Sequence, residues 1–205
     1  MSAMRYFDVP ALFISLALGV APTFALAQQA LPNPAAPADA AVSQSQAERI
    51  DTLFGSLKRE RNADKAKAIA SQIWAEWNDS SSATVNLLMQ WTNEAIAAKR
   101  HAAALDFLDQ ATILKPDYAE AWNKRATLHY IMGDTRKSMA DINHVLNREP
   151  RHFGALGGMA GILAENGQEQ LALKAWERYL EIYPADRDAQ EQVNKLSEKI
   201  AGSRT

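Results

Sequence analysis

The chain has 205 residues, with 22 basic and 24 acidic side chains and a formal net charge of -2 at pH 7, and enough apolar content to build one or two soluble domains. Basic residues are dispersed among acidic ones, which leaves no electrostatic footprint for nucleic acid. There is no cysteine, which excludes disulfides, thiolate zinc sites, a cysteine nucleophile and a lipidated N-terminal cysteine.

Residues 1-27 read as an export signal. Arg5 gives a weak positive start, Val9 to Val20 an apolar stretch, and Ala25-Leu26-Ala27 a small-x-small cleavage site before Gln28. The alternative is an uncleaved anchor, since no charged residue stands between Asp8 and Asp39 and the 19 residues from Val9 to Ala27 are about enough to cross a bilayer. Cleavage is the favoured reading because the cleavage site is well formed. It implies a periplasmic or secreted protein, and the anchor an inner-membrane protein facing the periplasm, with membrane contact through this segment alone. Residues 28-46 are rich in Ala, Pro, Gln and Ser, with Pro32, Pro34 and Pro37 opposing regular helix, and read as a disordered tether.

From residue 47 to 201 the strongest signal is self-similarity. Pro116, Pro150 and Pro184 recur every 34 residues, and Gly133 with Gly167, Leu88 with Trp122 and Leu156, and Leu108 with Ile142 and Trp176 keep the same step. Carried backwards, the frame puts Phe54 beside Leu88, Ala70 beside Ala104 and Trp74 beside Leu108, with Ser82 in the proline position. Units of about 51-84, 85-118, 119-152 and 153-186 follow, then a closing segment 187-200; the first unit has drifted furthest.

Within a unit, Trp122, Ala126, His129 and Tyr130, or Leu171, Ala175, Arg178 and Tyr179, repeat with helical period. Gly133-Asp134 and Gly167-Gln168 mark the turn between two helices, and the prolines end the second one. A helix pair cannot bury its apolar side alone, so the pairs are expected to stack. Val193, Leu196 and Ile200 among charged residues predict a capping helix with a polar outer side.

Trp122, Gly133 and Pro150 in one unit, and Leu156, Gly167, Ala172, Trp176, Tyr179 and Pro184 in the next, resemble the tetratricopeptide repeat family over about three quarters of the chain. Ala126 and Ala160 in place of glycine, and Ser138 in place of alanine, depart from its pattern. The resemblance implies an all-α, right-handed solenoid of about four helix pairs with a C-terminal capping helix. It also implies a non-catalytic protein that holds a protein or peptide in a concave groove lined by the first helix of each pair.

In that family the inward residues are the second, fifth, ninth and twelfth of each repeat. The matching positions are Asn86, Met89, Asn93 and Ile96; then Glu120, Asn123, Thr127 and Tyr130; then Gly154, Gly157, Gly161 and Ala164; and Thr52, Gly55, Arg59 and Asn62 in the first unit. Asn86, Asn93 and Asn123 offer amides that match an extended peptide backbone, with Met89, Ile96 and Tyr130 as apolar neighbours. The carboxylate clamp of some family members is not matched, since its positions hold Gly55 with Arg59, Met89 with Asn93, and Glu120 with Lys124.

Gly154, Gly157, Gly158 and Gly161 share one side of a helix, at a combined cost of about 3 to 4 kcal/mol against alanine. Tight packing of neighbouring helices, or a flexible hinge, is favoured over close approach of a partner as the explanation. The tryptophans fall in core slots of the frame. His101, His129, His144 and His152 show no metal spacing, and neither a nucleophile turn nor a phosphate loop is present. No metal, cofactor or enzymatic activity is expected. The functional expectation is an exported scaffold or adaptor; the alternatives are a periplasmic chaperone-like factor for envelope assembly and an architectural, self-associating subunit.

Overall fold

The computed structural model describes residues 45–202. The expected export signal lies outside them, as does the tether except for Ser45 and Gln46, which form the start of the first helix.

Among the described residues there are nine helices and no strand. They are α1 (Gln46–Arg59), α2 (Ala63–Asn78), α3 (Ala83–Ala97), α4 (His101–Leu114), α5 (Ala119–Ile131), α6 (Thr135–Arg148), α7 (Phe153–Glu165), α8 (Glu169–Ile182) and α9 (Arg187–Gly202). Local chemistry sets their ends. Ser45 and Glu48 form a reciprocal capping box on α1, and the side chains of Asn62, Ser82, Asp134 and His152 accept the first free N–H groups of α2, α3, α6 and α7.

Gly133 and Gly167 adopt φ of 81° and 71° at the turns inside the third and fourth pairs. There the N–H of Gly133 donates to Tyr130 O and that of Asp134 to His129 O, a closure of the last helical turn that needs a left-handed residue. Lys99 takes the same place in the second pair with φ of 56°.

The second to fourth pairs stack in chain order, each helix packing on its neighbours, and α9 closes the far end against α8. One core gathers Val85, Leu88, Leu108 and Leu128 from α3, α4 and α5. The other gathers Ile142, Val145, Phe153, Leu156 and Tyr179 from the later pairs, together with Phe54, Leu57, Ile73 and Trp77 of the first.

That membership reveals where the first pair sits. The 34-residue frame places it before α3, yet α1 reaches α8 and α2 reaches α5. Counting 34 back from Arg100, the N-cap of α4, falls on residue 66, inside α2, whose own cap is Asn62. The turn of the first pair therefore comes one helical turn early. The pair packs on later helices instead: Trp74 and Trp77 meet His152 and Phe153 at the start of α7, and Tyr179 and Tyr183 at the end of α8 lie beside α2.

Candidate partner-binding groove

The inward side of α3, α5 and α7 divides into a stretch filled by the chain itself and a stretch that is open. The filled stretch is held by the α1–α2 hairpin. Trp77 stacks on His152 at 4.1 Å between centroids, while Trp74 stands edge-on to His152 and Phe153 at 5.4 Å. Arg151 places its guanidinium 4.3 Å from the centre of the Phe54 ring and pairs with Asp51 at 2.8 Å. Gln46 Nε2 donates to the carbonyls of Glu76 and Asp79, which ties α1 to the end of α2.

Beneath the hairpin lies a buried polar network. His152 is 0% exposed and Glu120 3%. His152 Nδ1 accepts the Ala155 N–H at 3.1 Å, so the ring carries its proton on Nε2, which donates to Glu120 Oε2 at 3.3 Å. Asn123 Nδ2 donates to the same carboxylate oxygen at 2.9 Å, and Lys124 Nζ lies 3.6 Å from the other oxygen. A buried carboxylate with three partners is compensated for its desolvation.

The sequence-predicted residues separate accordingly. Asn86 is committed to the linker between α2 and α3: its Oδ1 accepts from Ser80 N and Oγ at 2.9 and 2.6 Å, and its Nδ2 donates to Asp79 Oδ1. Met89 is 4% exposed and belongs to the core of the second pair, while Ile96 is partly buried and packs against that core. Asn93 is exposed.

The glycines also differ. A Cβ on Gly154 would fall 2.6 Å from Trp74 Cη2, so glycine there makes room for the hairpin. Gly157 faces Trp176 and Tyr179 of its own pair at 3.5 and 3.7 Å, and Gly158 faces Ile142 at 3.6 Å. At Gly161 nothing lies within 4 Å.

The open stretch is a cleft of about 190 Å³ between α5 and α7 that brings together Asn123, Thr127, Tyr130, Gly154 and Gly161, with Gly158, Ile142 and Ile162 completing its apolar floor. Thr127 Oγ1 donates to Asn123 O, and Tyr130 OH donates to Glu165 Oε1 at 2.5 Å, a bond that raises the phenol above its ordinary value. Sequence reasoning missed the contribution of Trp74, Trp77, Arg151 and His152, which come from outside the inward positions. The one signal for them was Gly154, a glycine in a helix interior that needed a reason.

Among the described residues no cluster of His, Asp and Glu could hold a metal, and no helix is long and apolar enough to cross a membrane.

No family model matches the chain. A TPR repeat-containing protein of Rhizobium etli is 59% identical over 210 residues, covering 100% of both chains. Among solved structures, the first TPR of Spaghetti (RPAP3) bound to the HSP90 peptide SRMEEVD is similar with a TM-score of 0.55 at 19% identity, over 60% of this chain and 96% of that one. The Sgt2 TPR domain from Aspergillus fumigatus gives 0.55 at 18% identity, over 60% and 83%. The TPR2B domain of yeast Sti1 in its complex with pHsp70 gives 0.53 at 15% identity, over 58% and 99%.

Proposed function

The chain belongs to the tetratricopeptide repeat (TPR) family, and from that premise we propose that it is an exported, non-catalytic scaffold or adaptor that holds a peptide segment of a protein partner in the cleft between α5 and α7. The observation that carries this reading is the open cleft itself. Its floor includes Gly158 and Gly161, so a partner backbone can approach without meeting a Cβ, and Asn123, Thr127 and Tyr130 stand along its wall with amide and hydroxyl groups. Structural neighbours include a TPR domain solved with a bound peptide, which agrees with a peptide as the ligand.

The ligand differs in chemistry from an acidic C-terminus. The positions of the carboxylate clamp hold other residues, and the cleft residue Asn123 is itself hydrogen-bonded to the buried carboxylate of Glu120, which His152 also engages. A segment with small or apolar side chains fits the apolar floor. Export rests on the apolar stretch and cleavage site of residues 1-27, and would place the cleft in the periplasm or on the outer side of the inner membrane.

The test uses the full-length protein carrying a photoreactive residue at Thr127, activated in the native host, beside the same protein with Gly161→Lys. Gly161 has open space around it, so lysine fills the cleft without straining the helix. A small set of envelope proteins crosslinked by the first protein and lost from the second supports an adaptor. Equal crosslinking by both removes the cleft from the mechanism, and an unselective spread replaces the adaptor by a chaperone-like factor.

A further inference from the structure

In the third and fourth pairs, the side of the first helix that faces the preceding pair is closed. Arg125 of α5 reaches back to Asp109 of α4 at 2.7 Å and to Thr112, and clasps Asp141 of α6 at 2.8 Å, while its neighbours Ala121 and Leu128 are 0% exposed. On α7 the counterparts Ala155 and Ile162 are 1% and 3% exposed.

Stepping 34 residues back from Ala121, Arg125 and Asp141 reaches Leu87, Trp91 and Phe107. Here the corresponding side is open. Leu87 and Trp91 are 42% and 41% exposed, and Trp91 rests against Phe107 with ring centroids 5.6 Å apart. Leu114, two turns along α4 from Phe107 and so on the same side of that helix, is 56% exposed. The pair that chain order would put against this surface is engaged with α5 and α8 instead.

We propose that the exposed α3–α4 end of the stack is a self-association surface, through which two copies of this chain meet about a two-fold axis. Two features select a second copy as the occupant. The apolar centre is bordered by charges of opposite sign, Glu94 on α3 and Arg100 in the following turn, which line one shallow pocket with Trp91 and Phe107. A two-fold axis sets Glu94 of each copy against Arg100 of the other and aromatic against aromatic, so the patch complements itself. The opposite end of the stack is unlike it: α9 turns Arg187, Glu191, Lys195 and Glu198 outward, a polar cap that gives Trp91 nothing to bury against. The association therefore closes as a dimer rather than running head to tail.

The test is sedimentation velocity on the full-length protein at about 100 µM, where an interface of standard size is well populated. The expected species is a dimer, with Trp91→Glu shifting it to monomer while the far-ultraviolet circular dichroism and melting curve stay those of a folded helical protein. Glu94→Arg and Arg100→Glu, each placing like charges in opposition, are each expected to weaken the dimer roughly tenfold, and the double exchange to restore it. A wild-type monomer overturns the proposal, whether residues 1–44 or a different protein covers the patch. So does a dimer indifferent to Trp91→Glu, or a double exchange no stronger than either single one.

Discussion

The imidazole of His152 lies flat against the indole of Trp77, with 6° between the ring planes, and so joins the first helix pair to the junction before α7. The same ring caps α7 through Nδ1 and donates to Glu120 through Nε2. His152→Ala is therefore expected to lose a helix cap, expose Trp77 and strip one partner from a buried carboxylate, lowering stability by about 3 kcal/mol. Urea denaturation followed by tryptophan fluorescence measures this. A loss under about 1 kcal/mol would mean that the hairpin is not anchored on this ring.

The glycine-rich side of α7 holds two kinds of site, and alanine distinguishes them. Gly154→Ala drives a methyl into Trp74 and is expected to cost about 1 to 3 kcal/mol and to shift tryptophan emission to the red as the hairpin loosens. Gly161→Ala meets open space and should stabilise the helix by roughly 1 kcal/mol. Melting temperatures of the two variants moving in the same direction would contradict the assignment.

Tyr118 is 7% exposed, and among the described residues its hydroxyl has no hydrogen-bond partner. An unpaired buried hydroxyl costs about 1 to 3 kcal/mol, so Tyr118→Phe should raise stability by about 1 kcal/mol with unchanged helix content. A destabilised Tyr118→Phe variant in calorimetry would show that the hydroxyl does have a partner.

Acid should act first on the hairpin. Glu76 is held below its ordinary value of 4.5 mainly by its hydrogen bond from Arg49, and Asp79 below 3.8 mainly by that from Asn86. Carboxylates with depressed values contribute stability above their ordinary range, and that contribution is lost as pH falls through it. Asp79 is exposed and Glu76 partly so, and each effect is therefore small and screened by salt. Tryptophan fluorescence is expected to report loosening of the hairpin between about pH 5 and 2 before helix content falls, and Glu76→Gln with Asp79→Asn should remove that step. At the alkaline end, burial raises the Tyr118 and Tyr179 phenols well above the ordinary 10.0, so stability should decline as pH rises past that value.

Much of the fold was legible because it is local. The 34-residue step of Pro116, Pro150 and Pro184 and the left-handed turns at Gly133 and Gly167 follow from backbone rules that need no tertiary knowledge. Lys99 hid the equivalent turn because lysine seldom adopts that conformation, yet the turn formed there all the same. The place of the first pair was not legible, since a shift of one helical turn leaves apolar spacing intact while changing which neighbour it fits. Part of the groove was missed for the same reason. Met89 and Asn86 occupy inward positions by count, but one is buried in the core of the second pair and the α2–α3 linker engages the other.

The placement of the first pair also bears on how the chain comes to be folded. In a repeat array each unit needs only its neighbour, so the order of synthesis is also a workable order of assembly. Here residues 46–78 leave the ribosome before α5 and α8, the helices they settle on, and their tryptophans stay uncovered until the last pair has formed. Such distant contacts are slow to close and link the two ends of the array. Damage to α7 or α8 should thus release the N-terminal pair as well, so that the stack unfolds as one unit instead of fraying repeat by repeat.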